Sequence, residues 1–247
     1  MYREADIEQK RIGDLVLENT NVAEIFDRYG FDYRCHGNIK LTDACKIAFI
    51  DSRKVLADVK STTKGNSLWP IAQGGLQPLI NYIIEKHHSY VKKKTPLIAQ
   101  LMAKCVDKNN EPHPLCIEAN NVFLKIAADL QTHTQKEEER LFPAIRMISD
   151  CFENNAPLGV LPYGSVADLV ATLQYEHEVA GNEMTKIREI MTDLIPPDTA
   201  SAAIRTVYQE LLEFEHDLHY HVLLENFVLF PRAVMLEKQL LVKNNGN

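Results

Sequence analysis

The sequence predicts an all-α protein in which a four-helix up-down bundle follows a small helical domain. From about residue 71 onward, apolar residues recur every three or four positions along four long stretches, as on one face of a buried helix. Segments rich in helix-breaking residues separate these stretches at 109–114, 157–164 and 196–198. Alternating Val- and Ile-rich runs, which would indicate strands, are absent from the sequence. Four helices that each present one apolar stripe are typical of a bundle.

The chain divides into three regions that differ in composition and in residue pattern. Residues 1–62 contain short helical segments around a turn with a cysteine, and one predicted helix ends at Gly30, a residue suited to a helix C-terminus. Residues 63–70 are polar and end in a Trp-Pro pair, which indicates a linker. We therefore expect a small helical domain at 1–62, a linker at 63–70 and the bundle at 71–247.

Composition excludes several classes of protein. The net charge is −7 with both signs interspersed, whereas nucleic-acid binding needs clustered basic residues. No run of 18 apolar residues and no signal peptide is present, so we expect neither a membrane span nor export. The five cysteines are odd in number and form no CxxC pair, which argues against a disulfide framework and a thiolate zinc site and favours the cytoplasm.

An internal repeat points to the chemistry. The pattern His-x3-Glu-x3-Leu-Phe-Pro begins at His133 and begins again at His221, 88 residues later. His88 and His177 are 89 residues apart, each on the helix before one copy. The bundle is therefore predicted to consist of two related helical hairpins, each with one lone histidine and one His-x3-Glu pair.

This spacing predicts a metal site. Helix residues four positions apart lie on the same face, so each His-x3-Glu pair directs an imidazole and a carboxylate to one point. Two carboxylates could each bridge two ions and leave two imidazoles for each ion, a ligand set that suits iron, manganese or zinc. One interior histidine alone is more often a hydrogen-bonded core residue, but four matched helices favour a metal centre. The predicted ligands are His88, His133, Glu137, His177, His221 and Glu225.

Neighbouring histidines offer alternatives to two of the predicted ligands. His87 adjoins His88, and the near-equal offset favours His88. His216 and His219 lie close to His221, but only His221 has a glutamate four residues later, so the other two are expected at the surface or beside the ligands. His36 and His113 lie in turn-like sequence and are predicted not to be ligands.

Several motifs resemble those of the RIC (repair of iron centres) proteins, a family with a hemerythrin-like domain. These motifs are HTQKEEERLFP, YEHEVAG and HVLLENFVLFPRA in the bundle, and FDYRCHG in the amino-terminal region. The resemblance implies a hemerythrin-like bundle with two non-haem iron ions bridged by an oxo or hydroxo group. It places the family's six ligands on the residues already chosen from spacing.

The resemblance also concerns residues near the centre. It matches Asp129 and Glu176 to further acidic positions, which implies hydrogen-bond partners of the ligands or an iron path, with solvated acids as the alternative. The family typically shows Tyr-Cys-Cys-Gly-Gly in the amino-terminal motif, whereas this chain has Arg34, Cys35 and His36 after the tyrosine. Cys35 is either a reactive thiol activated by these two neighbours or a structural cysteine outside the bundle.

The resemblance implies repair of iron–sulfur clusters damaged by nitrosative or oxidative stress, by donation of iron to iron–sulfur proteins. An alternative is a protein that binds or senses oxygen or nitric oxide. A third possibility is an enzyme, either a nitric-oxide reductase or a peroxidase.

Overall fold

The computed structural model of the protein describes residues 7–105 and 114–245. Within these residues the chain is helical, and the one feature of β type is an isolated bridge between Arg11 and Lys40. The predicted all-α class is therefore confirmed. None of the helices in the described ranges combines the length and the apolar character needed to cross a lipid bilayer.

Between residues 12 and 72, within the described part of the chain, lie five short helices. Gly30 has a φ of +68° just after the second of them, as predicted for a helix end. Trp69, within the predicted linker, begins a short helix, and Pro70 is well suited to a first helical turn. The helices are α1 (Ile12–Glu18), α2 (Val22–Arg28), α3 (Leu41–Ile47), α4 (Ser52–Ser61) and α5 (Trp69–Ala72).

Four long helices form the bundle, and three of them contain a π-helical turn. Helix α6 consists of Leu76–Ile83, the π turn Ile84–His88 and Ser89–Cys105. Helix α7 consists of Pro114–Lys136, the π turn Glu137–Leu141 and Phe142–Glu153. Helix α8 is Val166–Ile190. Helix α9 consists of Ala202–Leu223, the π turn Leu224–Leu229 and Phe230–Asn245.

The π turns in α7 and α9 coincide with the repeated Leu-Phe-Pro element. Pro143 and Pro231 each lie two residues after the last residue of the turn. Proline lacks a backbone N–H and its ring collides with the carbonyl four residues earlier in an α-helix, so a wider turn at this point relieves the conflict. Such turns are frequent at functional sites.

The core consists of two hydrophobic clusters. One cluster joins the amino-terminal helices to the Leu-Phe-Pro half of the bundle and includes Phe26, Phe142 and Phe230. The other fills the opposite half and includes Phe123 and Phe214. The predicted ligands belong to neither cluster, and along each bundle helix they lie where one cluster gives way to the other.

Candidate metal centre

Six buried side chains from four helices converge between the two clusters. They form two groups, each with two imidazoles and two carboxylates whose ligand atoms lie within 4.8 Å of one another. All six are at most 4% exposed. Together they are called the candidate metal centre: His88, His133, Glu137, His177, His221 and Glu225.

The first group contains His88 and His221. His88 Nε2 lies 3.3 Å from Glu137 Oε2 and 3.9 Å from Glu225 Oε1. His221 Nε2 lies 3.0 Å from Glu225 Oε1 and 3.2 Å from His88 Nε2. Both imidazoles therefore direct the same nitrogen toward both carboxylates.

The second group contains His133 and His177. His133 Nε2 lies 3.4 Å from Glu137 Oε1, and His177 Nε2 lies 3.2 Å from Glu225 Oε2. The two Nε2 atoms are 2.9 Å apart. Each glutamate thus offers one oxygen to each group, which is the arrangement of a carboxylate that bridges two cations.

The chemistry of these donors fits bound metal ions. Glu137 and Glu225 are 0% exposed, and their four carboxylate oxygens have no hydrogen-bond partner within the described chain. Burial of an uncompensated carboxylate costs several kcal/mol. Two such groups facing four imidazole nitrogens therefore require positive charge between them.

Protons supply that positive charge when metal is not bound. Burial by itself would lower the pKa of His88 and His133, but their contacts with the glutamates outweigh it and raise both values to about 10. Burial would raise the pKa of Glu225, yet the neighbouring histidines hold it well below its usual range. Metal binding would displace these protons, since imidazole ligates in its neutral form.

Three of the four imidazoles are fixed from behind by oxygen acceptors. His88 Nδ1 lies 2.8 Å from Glu138 Oε1, and His133 Nδ1 lies 2.9 Å from Glu176 Oε2. His177 Nδ1 lies 2.9 Å from Asn226 Oδ1. Such partners orient a ligating imidazole and raise its basicity. Neither Glu138 nor Asn226 was predicted from a sequence pattern, although each directly follows a predicted ligand.

The two acids that the resemblance added have different surroundings. The Glu176 carboxylate accepts hydrogen bonds from His133 and Lys136. The hydrogen bond from His133 is the main reason that the pKa of Glu176 falls to about 2. Asp129 lies exposed at the surface, near Lys125. Glu176 therefore acts on a predicted ligand, and Asp129 has the setting of a solvated acid.

Three further histidines, His36, His216 and His219, belong to neither group of ligands. His36 is exposed and its Nδ1 lies 2.9 Å from Asp32 Oδ2, while His216 is partly buried on α9. His219 is buried, not at the surface, and bonds to Tyr33 Oη at 3.2 Å and to Arg34. His113 lies outside the described residues.

Cys35 contacts the bundle, which corrects the expectation that it lies outside. Its Sγ accepts a hydrogen bond from Asn226 Nδ2 at 3.6 Å, so one amide links Cys35 to His177. Burial raises the pKa of the thiol to about 12, and Asp32 adds to the effect. Arg34 lowers the pKa of the thiol, but burial outweighs this effect and opposes the thiolate form that the sequence offered as one alternative.

This amide link makes a testable prediction. Asn226→Leu should weaken metal binding about 10- to 100-fold, because His177 loses the acceptor that orients it. Cys35→Ser should keep full metal content, since a hydroxyl also accepts the amide hydrogen bond. Metal titration monitored by competition with a chromophoric chelator measures both effects. Equal affinities of Asn226→Leu and the wild type would contradict the role given to Asn226.

A helical bundle with two groups of buried imidazoles that share two carboxylates defines a metal-binding bundle protein. The model of the hemerythrin HHE cation binding domain matches residues 79–233. The chain belongs to this family. A second model, ScdA_N, described as a domain of unknown function (DUF542), matches residues 8–63. The two matches together confirm the resemblance seen in the motifs.

Relatives are similar along nearly the whole chain. An iron-sulfur cluster repair protein ScdA from Staphylococcus haemolyticus is 25% identical over 90% of this chain and 96% of its own length. A probable iron-sulfur cluster repair protein from Haemophilus influenzae is 25% identical, with 92% and 97% covered. An iron-sulfur cluster repair protein YtfE from Dickeya chrysanthemi is 29% identical, with 90% and 96% covered.

Proposed function

We propose that the protein binds two iron ions at the candidate metal centre and donates iron to damaged iron–sulfur clusters. The observation that carries the proposal is the sharing of both glutamates between two groups of imidazoles. The names of relatives that span the whole chain support the choice of cluster repair. Iron–sulfur proteins would be the recipients.

The ligand set suits an ion that must later leave. Each ion would receive two imidazole nitrogens and one oxygen from each glutamate, and mixed ligation of this kind accepts iron, manganese or zinc. Bound iron would supply both the exchangeable metal and the redox chemistry of the centre. The two hydrophobic clusters exclude bulk water on both sides, while the acceptors behind three of the imidazoles hold those rings in place.

We further propose that residues 1–62 form a small domain, residues 63–70 a linker and residues 71–247 the bundle. The two model matches, which end at residue 63 and begin at residue 79, support this division. A cytoplasmic location agrees with five free cysteines, since thiols stay reduced there.

Iron transfer provides the direct test. The Fe(II)-loaded protein, kept free of oxygen, is mixed with a cluster protein whose cluster has been destroyed by nitric oxide or peroxide. We expect faster and more complete recovery of the recipient's visible absorption and activity than an equal amount of free iron gives. The doubly substituted Glu137→Ala/Glu225→Ala protein is the control and should give no gain. Recovery no better than with free iron would contradict iron donation.

A second candidate function is capture of oxygen or nitric oxide. It is favoured by a cavity of about 330 Å³ whose lining includes His177 and Cys35, so that a small molecule could approach one side of the centre. Stopped-flow spectra of the reduced protein distinguish the candidates. A reversible adduct with all iron retained favours gas binding, whereas loss of iron on mixing favours donation.

A further inference from the structure

A second cavity, between the amino-terminal region and the bundle, ends at a histidine outside the candidate metal centre. Its volume is about 540 Å³, and its lining includes Ser67, Tyr82, His87 and Asp217. His87 is only 4% exposed. Its Nδ1 lies 3.0 Å from Asp217 Oδ1, and its Nε2 has no hydrogen-bond partner within the described chain. Such a buried nitrogen with a free lone pair is an unused metal ligand.

His87 lies directly against one imidazole of the centre. The rings of His87 and His221 are parallel, with their centroids 5.5 Å apart and their planes 3° apart. His221 also differs from the other three imidazoles, because its Nδ1 has no hydrogen-bond partner in the part of the chain that the structure describes. An imidazole without an acceptor behind it is a weaker and less firmly oriented ligand.

We propose that the ion on the His88–His221 side leaves first and that His87 takes it over from His221 on the way to this cavity. The inference rests on the proposed function, since it requires two exchangeable ions. The transfer replaces one imidazole nitrogen by another and changes no charge on the ligands. Asp217 holds the His87 ring through Nδ1 and thereby strengthens Nε2 as a ligand.

The cavity at the other side of the centre is less suited to release. His177 lines it, but Asn226 fixes the Nδ1 of that ring at 2.9 Å. The ion on the His133–His177 side therefore has two anchored imidazoles and should leave later.

Release of iron into a coloured Fe(II) chelator tests the proposal without a recipient protein. Wild type loaded with two Fe(II) ions should release them in two phases of similar amplitude. His87→Phe keeps a ring that can stack on His221 but removes both nitrogens, and it should slow the fast phase about tenfold while leaving the slow phase unchanged. His216→Phe is the matched control, since His216 is a partly buried histidine of α9 that belongs neither to the cavity lining nor to the two groups of ligands; both phases should stay unchanged in this variant.

Several outcomes of the release experiment would overturn the proposed role of His87. A fast phase that is unchanged or accelerated in His87→Phe overturns the proposal, as does release of both wild-type ions in a single phase. Asp217→Asn is a second variant, used if His87→Phe loads fewer than two ions. The fast phase of Asp217→Asn should also be slower than that of the wild type. An unchanged fast phase in this variant overturns the proposal. Normal two-phase release without recovery of a cluster protein would refute iron donation while leaving this release route intact.

Discussion

Replacing Glu225 by alanine is expected to lower the metal content of the protein from two ions per chain to one or none. One Glu225 oxygen lies 3.0 Å from His221 Nε2 and the other lies 3.2 Å from His177 Nε2, so this carboxylate belongs to both groups. Its removal takes a ligand from each ion and also removes negative charge that balances the cations. Metal analysis by mass spectrometry after anaerobic loading measures the effect.

Glu137→Ala should act in the same way, because the Glu137 oxygens lie 3.3 Å from His88 and 3.4 Å from His133. Glu183→Ala is a matched control. Glu183 is also a buried glutamate of the bundle, but it pairs with Lys125 and Lys186, each at 2.9 Å, and its loss should leave both ions bound. Full occupancy in both Glu137→Ala and Glu225→Ala would refute the assignment of the bridging ligands.

The spacing of residues predicted the fold and the convergence of the six side chains because both depend on helix periodicity. A stripe of apolar residues defines the inward face of each helix, and His133 and Glu137 follow that stripe. The choice of His88 over His87 depended on one residue of offset, and the structure brings His88 into the group. The residue pattern was sufficient to predict those features that depend on the periodicity of a single helix.

Contacts between distant segments were not predictable in the same way. The acceptor behind His88 comes from Glu138, 50 residues later, and no periodicity within one helix encodes that pairing. Cys35 lies 191 residues from Asn226 in the chain, yet the two side chains are in contact. Burial at this place is the main cause of the raised pKa of the Cys35 thiol. The sequence neighbours of Cys35 suggested a thiolate as one alternative, whereas burial in the folded chain opposes that form.

The π turns were also missed. Proline after Leu-Phe accounts for two of them, since proline cannot continue regular α-helical hydrogen bonding. The third, Ile84–His88, is not directly followed by a proline. It ends at a predicted ligand, which agrees with the frequent occurrence of such turns at functional sites.

Removal of metal is expected to lower the melting temperature of the protein by roughly 10–20 °C. Each site adds about 2.7 kcal/mol to the free energy of unfolding when free metal is at 100 times its dissociation constant, and for a chain of this size about 1 kcal/mol shifts the melting temperature by 2–4 °C. The physical cause is binding of metal to the folded chain alone, because only folding brings the two buried glutamates and the four imidazoles together.

Calorimetry of iron-loaded and metal-stripped protein measures this shift, and the Glu137→Ala/Glu225→Ala protein provides the control. That variant lacks the carboxylates that need a counter-ion, so its melting temperature should not respond to metal. Identical melting of loaded and stripped wild type would mean that metal does not stabilise the folded chain, and the six residues would then form a polar core balanced by protons alone.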